Sequence, residues 1–267
     1  MELSPAARWS IGIQRADGTV LAEHEPHLLL KTASIAKLHL LVELAARAEV
    51  GEIDLRENVR REDSERVEDS GIWHLLHDAP ELSLRDAAAL VGAASDNWAT
   101  NALLDRLGMD TVQERGRALA PGGSLLHDRI RNARRPGDPE TLSRGCGADW
   151  AGFMAGLVRG EVVSPGVSAQ VSQWLAASMD LSMVGSAFGF DPLAHALPDR
   201  GLRLLSKTGT DTGIRAEVGC VCRKGERASA ISYAVLANWT VDSDEDAVRD
   251  EVLAAMRRIG EEIRAAL

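Results

Sequence analysis

The chain opens with apolar residues alternating at a period of two. The runs Trp9–Arg15 and Val20–His24, in "RWSIGIQRADGTVLAEHE", read as two strands of a hairpin turning through Asp17-Gly18. The period then lengthens. After Ser34 the apolar positions Ile35, Leu38, Leu41, Val42 and Ala45 recur at helical spacing, with Gly51 as a stop. "RENVRREDSERVEDSG" is charged and aperiodic and reads as a solvated loop. Helical spacing returns from Leu82 to Leu107 in two pieces. Ser83 is placed to cap the first, "SDN" at 95–97 interrupts, and "WATNALLDRLG" forms the second. "RRPGDPETLSRGCG" is a loop with its turn at Pro136-Gly137, and two further helices are expected near Ala148–Arg159 and Pro165–Ser178. In the closing third, "RLLSKTGT", "IRAEVGCVCR" and "SAISYAVLANW" read as strands, and Glu245–Leu267 as an amphipathic helix.

Strands at both ends of the chain around a helical middle predict a mixed α/β (α+β) fold. Residues 1–30 and 203–267 would build one antiparallel sheet lobe, with 31–202 inserted as a helical lobe. No internal repeat or low-complexity segment interrupts this plan.

Composition narrows the function classes. The 267 residues, 45% hydrophobic and 26% charged, suffice for a large core. A net charge of −10 argues against a general nucleic-acid binder, because neutralising phosphates needs a basic surface. No run has the length and purity of a membrane span. The start, "MELSPAARWSIGIQ", lacks a basic stretch followed by an apolar one, so a cytoplasmic location is expected. Cys146, Cys220 and Cys222 read as buried thiols, because two cysteines on one strand face fall short of a zinc site. His74, His77 and Asp78 have metal-like spacing but no evident third ligand, and are read as a surface or cleft-rim helix. No metal and no cofactor are expected. Lysine occurs only at 31, 37, 207 and 224, which makes each one worth attention.

Two of those lysines sit in short motifs. Ser34-x-x-Lys37 alone admits two readings, a serine capping a helix or a nucleophile with its base one turn away. Ser95-Asp96-Asn97 between two helices and Lys207-Thr208-Gly209 inside a strand add weight to the second. Together and in this order, the three motifs resemble those of class A β-lactamases and penicillin-binding proteins. "LSLRDAAALVGAASDNWATNALLDRLG" and "GADWAGFMAGLVRGEVVSPGVSAQVSQWL" are similar to further segments of that family, so the resemblance covers most of the chain. It implies a five-stranded antiparallel sheet flanked by helices, a helical lobe, and an active site between them.

The chemistry of each residue supports this. A serine hydroxyl needs a nearby base, and Lys37 projects from the same face one turn on. Beside another cation and partly desolvated, its pKa falls, so it can accept a proton. Lys207 would supply that cation and attract a substrate carboxylate. Ser95 would relay a proton, Asn97 would hydrogen-bond an acyl amide, and Asp96 would brace its turn. By resemblance, the oxyanion hole would be the backbone N–H groups of Ser34 and Thr210, beside Gly209. Thr208 and Arg215 are candidates to hold a carboxylate, Arg215 with an ordinary surface salt bridge as the equal alternative.

The resemblance breaks at the omega loop. Anchored on Pro136-Gly137-Asp138, that loop puts Asn132 at the family's asparagine and Asp128 at its deacylating glutamate. An aspartate is one methylene shorter, which withdraws the carboxylate by about 1.5 Å. Such a displacement can cost about a hundredfold in rate. The expectation is a serine acyl-enzyme hydrolase acting on a small amide, β-lactam or ester. One alternative is an intracellular esterase or transacylase with poor β-lactam turnover, and a second is a non-catalytic ligand-binding relative.

Overall fold

The computed structural model describes residues 1–67, 69–241 and 245–267. Glu68, in the charged segment expected to be a loop, lies outside them. The first hairpin forms as expected, with β1 at Arg8–Arg15 and β2 at Val20–His24. Gly18 takes a positive φ in the turn, and Thr19 N donates to Asp17 Oδ1 at 2.9 Å. The closing strands are β3 (Leu202–Asp211), β4 (Ile214–Arg223) and β5 (Ile231–Asn238). The sheet is antiparallel with order β2-β1-β5-β4-β3, so the two chain ends meet where β1 pairs with β5, Arg8 opposite Asn238.

Period-two alternation sorts the strand residues between two cores. Trp9, Ile11, Ile13, Leu204, Tyr233 and Val235 face one side. There Val252, Met256, Ile259 and Ile263 of helix α7 (Glu245–Ala265) cover them, together with a 3-10 turn at Val184–Phe188. Leu205, Ala216, Val218, Cys220, Ala234 and Leu236 face the other side and join the core of the helices. Helices run in the order α1 (Lys37–Glu49), α2 (Leu84–Ala94), α3 (Asn97–Leu107), α4 (Met109–Leu119), α5 (Gly147–Arg159) and α6 (Pro165–Leu175). Helix α5 lies against β1 and β5.

Local signals explain several ends. The Ser83 hydroxyl caps α2 through Asp86 N, and Ser164 caps α6 through Val167 N with Pro165 at the first turn. Helix α6 stops at Leu175, three residues before the expected end, and α4 lies where no helix was expected. Between Asn58–Arg60 and its partner strand Glu81–Ser83, described residues of the charged segment meet α3 as a rim, with Trp98 Nε1 donating to Arg61 O at 3.0 Å and Ser64 Oγ to Asp105 Oδ2 at 2.7 Å. Among the described residues, no helix is long and apolar enough to cross a membrane.

Candidate active site

Ser34 does not cap a helix. It lies in a 3-10 turn, Ala33–Ala36, that feeds into α1, and neither start carries a side-chain cap. Ala33, immediately before it, has φ +46, a left-handed conformation that costs a non-glycine residue energy. Strand β3 comes up against this turn at Gly209. A Cβ there would meet Thr32 O and approach Ser34 N to 3.2 Å, so only glycine lets the strand this close. β3 is an edge strand, and its outer side carries backbone groups that no neighbouring strand pairs.

Lys37, the first residue of α1, is buried and makes three hydrogen bonds. Its Nζ donates to Ser95 O at 2.6 Å and Asn97 Oδ1 at 2.6 Å, and lies 3.2 Å from Ser95 Oγ. From the opposite wall, Lys207 Nζ reaches the same Ser95 Oγ at 2.9 Å and Thr208 O at 2.7 Å. Ser95 can receive both because it ends α2 in a left-handed conformation, φ 54, which turns it back toward the cleft. Burial and the charge of Lys207 hold the Lys37 ammonium well below its usual pKa, against the pull of Asp96 and Asp69. Burial brings Lys207 to about 7, opposed by the Asp180 carboxylate. The Ser95 hydroxyl therefore bridges two lysines for which loss of a proton has been made easy.

Ser34, Ser95, Asn97, Lys207, Thr208 and Thr210 border one cavity of about 410 Å³. Gly209 stands between Thr208 and Thr210, which border it on β3. The rim contributes Asp69, Ser70 and Gly71, and the segment after α6 contributes Met179 and Asp180. Periodicity had no way to signal these, since loop conformation alone brings them here. Asp69 accepts a hydrogen bond from Asn97 Nδ2. Asp96 is buried as the brace of the rim: Oδ2 accepts from Ile72 N at 2.8 Å and Trp73 N at 2.7 Å, and Oδ1 from Ala99 N at 2.9 Å. Gly71 makes room for that carboxylate, at φ +110 with no space for a Cβ.

The structure does not bring Asp128 or Asn132 to this cavity. The Asp128 carboxylate turns into its own loop, 2.8 and 3.0 Å from Arg131 and 2.6 Å from Arg134, with Arg129 N at 2.8 Å. Burial alone would raise its pKa, but these donors hold it below the usual carboxylate value. Asn132 Nδ2 donates to Arg66 O at 2.8 Å and so ties the loop to the rim. The Pro136-Gly137-Asp138 turn is formed, with Arg135 N donating to Asp138 Oδ2 at 2.7 Å. Arg215 does not border the cavity either. Its guanidinium caps the carbonyls of Asp211 and Ile214 at 3.0 and 2.7 Å and lies 5.8 Å from the Trp239 ring. His74 and His77 belong to a separate shallow depression with Trp98, and no metal-ligating cluster occurs among the described residues.

Solved structures share this architecture. A β-lactamase from Sphaerobacter thermophilus DSM 20745 is 25% identical, covering 95% of this chain and 92% of that chain at a TM-score of 0.75. An ancestral class A β-lactamase is 22% identical over 98% of this chain and 95% of that chain, TM-score 0.76. A mutant of PBP-A is 19% identical over 98% and 91%, TM-score 0.75. Among curated proteins, no sequence matches significantly. A family model for the β-lactamase enzyme family matches residues 4–267, nearly the whole chain. The protein belongs to the β-lactamase enzyme family, a family of hydrolases.

Proposed function

We propose that this protein is a serine acyl-enzyme hydrolase that opens a small amide, β-lactam or ester carbonyl through Ser34. The observation that carries the reading is the convergence of two buried lysines on the Ser95 hydroxyl beside Ser34. Neutral Lys37 would take the Ser34 proton as the hydroxyl attacks. Its present hydrogen bonds go to Ser95 and Asn97, so the nitrogen would have to turn or act through a water. The Ser95 hydroxyl, bridging Lys37 and Lys207, would then pass a proton to the leaving nitrogen or oxygen. Backbone N–H groups of Ser34 and Thr210 would receive the oxyanion, and Thr208 with Lys207 a substrate carboxylate. PBP-A supports the acylation half: the mutant was captured as an acyl-enzyme complex with penicillin G on this same fold.

Removal of the acyl group is the weaker half. The Asp128 carboxylate is committed to Arg131 and Arg134, which leaves it a poor base for a deacylating water. That favours the second reading, either a transacylase, in which an acceptor other than water takes the acyl group, or an esterase whose less hindered acyl-enzyme is cleared by water without Asp128. Intact-mass spectrometry after mixing with penicillin G, a cephalosporin and an activated ester tests both. A persistent adduct on Ser34 with the lactams, and turnover of the ester, is expected. Rapid formation and loss of the lactam adduct would instead mark an efficient lactamase. No adduct on Ser34 with any of the three would overturn the enzyme reading and leave a ligand-binding relative.

A further inference from the structure

A second cavity, of about 260 Å³, lies under the far end of the sheet, between β3–β4 and the facing ends of α5 and α6. Leu157, Leu205 and Cys220 give it an apolar wall, and Arg203, Arg227 and Cys222 give it a polar one. Arg203 and Leu205 share a strand face with Lys207, by the period of two. Arg203 and Lys207 are four positions apart along the strand, about 13 Å, and the two cavities share no bordering residue.

The polar wall carries uncompensated charge. Arg159, at its edge, is engaged by Glu161 at 2.7 Å and Ala16 O at 2.9 Å. The guanidiniums of Arg203 and Arg227 have neither a hydrogen bond nor a carboxylate partner among the described residues. Arg203 stands directly opposite Cys222 in the strand pair, and burial pushes the Cys222 thiol up while Arg203 and Arg227 pull it down. The first turn of α6, at Pro165 and Ser168, also borders the space and adds the positive end of a helix dipole. In a chain of net charge −10, two free guanidiniums facing one cavity stand out as a built anion site. Guanidinium pairs favour a carboxylate or phosphate, and the apolar wall selects an anion with a hydrocarbon body. The volume, below the usual range of about 300–1,000 Å³ for ligand pockets, limits that body to a small one.

We propose that this cavity binds a small amphiphilic carboxylate, with its charge between Arg203 and Arg227 and its body against Leu157, Leu205 and Cys220. The site is separate from the cleft at Ser34. Cys222 supplies the readout, because it is half-buried in this wall while Cys146 and Cys220 are buried. The rate of Cys222 alkylation by the uncharged reagent iodoacetamide is followed by peptide mass, with octanoate, octanol or inorganic phosphate present. With the site nine-tenths filled, octanoate slows alkylation about tenfold. The protection persists in Ser34→Ala, and is lost in Arg227→Gln and in the Arg203→Gln/Arg227→Gln double variant, each compared with its own ligand-free rate. Arg227 is exposed on a short turn, so its single variant keeps the test open if the double variant folds poorly. No slowing by octanoate, equal slowing by octanol or by phosphate, or loss of protection in Ser34→Ala would overturn the proposal.

Discussion

At Ser95 Oγ the two lysine nitrogens stand 3.2 and 2.9 Å away, and in the proposed mechanism this one atom relays the proton. Lys37→Met is expected to lower the acylation rate by about 10²- to 10⁴-fold, the usual worth of a positioned base. Mass-detected acylation by penicillin G checks this, and a rate within twofold of the parent would remove Lys37 from the role of base. A pH profile separates the two lysines. Lys207, at about 7, loses its charge as pH rises through neutrality, so capture of a carboxylate-bearing substrate should weaken above about pH 7. A neutral ester has no carboxylate to lose and should show no such fall. Identical profiles for penicillin G and a neutral activated ester would contradict this use of Lys207.

The SDN segment owes its shape to Asp96, which caps α3 through Ala99 N and takes two rim amides at Ile72 and Trp73. Asp96→Ala removes a cap and leaves buried N–H groups unpaired, for a cost of about 2–4 kcal/mol. Thermal unfolding should show the loss, and limited proteolysis should cut first within residues 61–80. Intact stability with a protected rim would mean that other contacts hold it. Most elements were legible where one strong periodicity coincided with a cap or turn, as at Asp17-Gly18 and Ser83. Helix α4 was not, because "MDTVQERGRAL" is polar and buries only Val112 and Gly116. Gly116 serves by close approach, since a Cβ there would meet the His39 ring, and no hydrophobic period records that. Likewise the expected continuous helix from Ser34 begins as a 3-10 turn, closely approached by β3 at Gly209, 175 positions further along the chain.

On the scale of the whole molecule, two buried titratable groups oppose each other. His39, stacked on Trp150 at 4.9 Å with neither ring nitrogen hydrogen-bonded, is brought by burial from 6.5 to about 4. The unfolded chain binds this proton first, so stability falls as pH drops from about 6.5 to about 4. Glu217, which accepts from Tyr233 Oη at 2.6 Å and from Gly185 N, is raised by burial from 4.5 to about 7. There the folded chain holds the proton longer, so stability falls as pH rises from about 4.5 to about 7. Between about pH 4.5 and 6.5 the two slopes largely cancel. Glu217→Gln keeps a neutral acceptor for Tyr233 and should expose the His39 slope, a loss of about 3 kcal/mol toward acid. Denaturant unfolding at a series of pH values measures it, and a profile unchanged by Glu217→Gln would show that Glu217 does not hold its proton in the folded state.

The sequence by itself determined the family, the motif order and most elements, because these rest on local periodicity, capping chemistry and three short motifs. The motif residues Ser34, Ser95, Asn97, Lys207 and Thr208, which border one cavity, and Lys37, which bonds to Ser95, could be picked out in that way, while the roles given to them are proposals. Tertiary structure alone decided where the loop residues go. Asp69 and Asp180 reach the cavity through the folding of the rim and of the segment after α6, and neither occupies a repeating position. Asp128 and Arg215 carry the charges the motifs anticipate, but nearer partners claim them. A carboxylate within reach of two arginines on its own loop is stabilised there more strongly than in an open cleft, and that competition is settled only when the chain has folded.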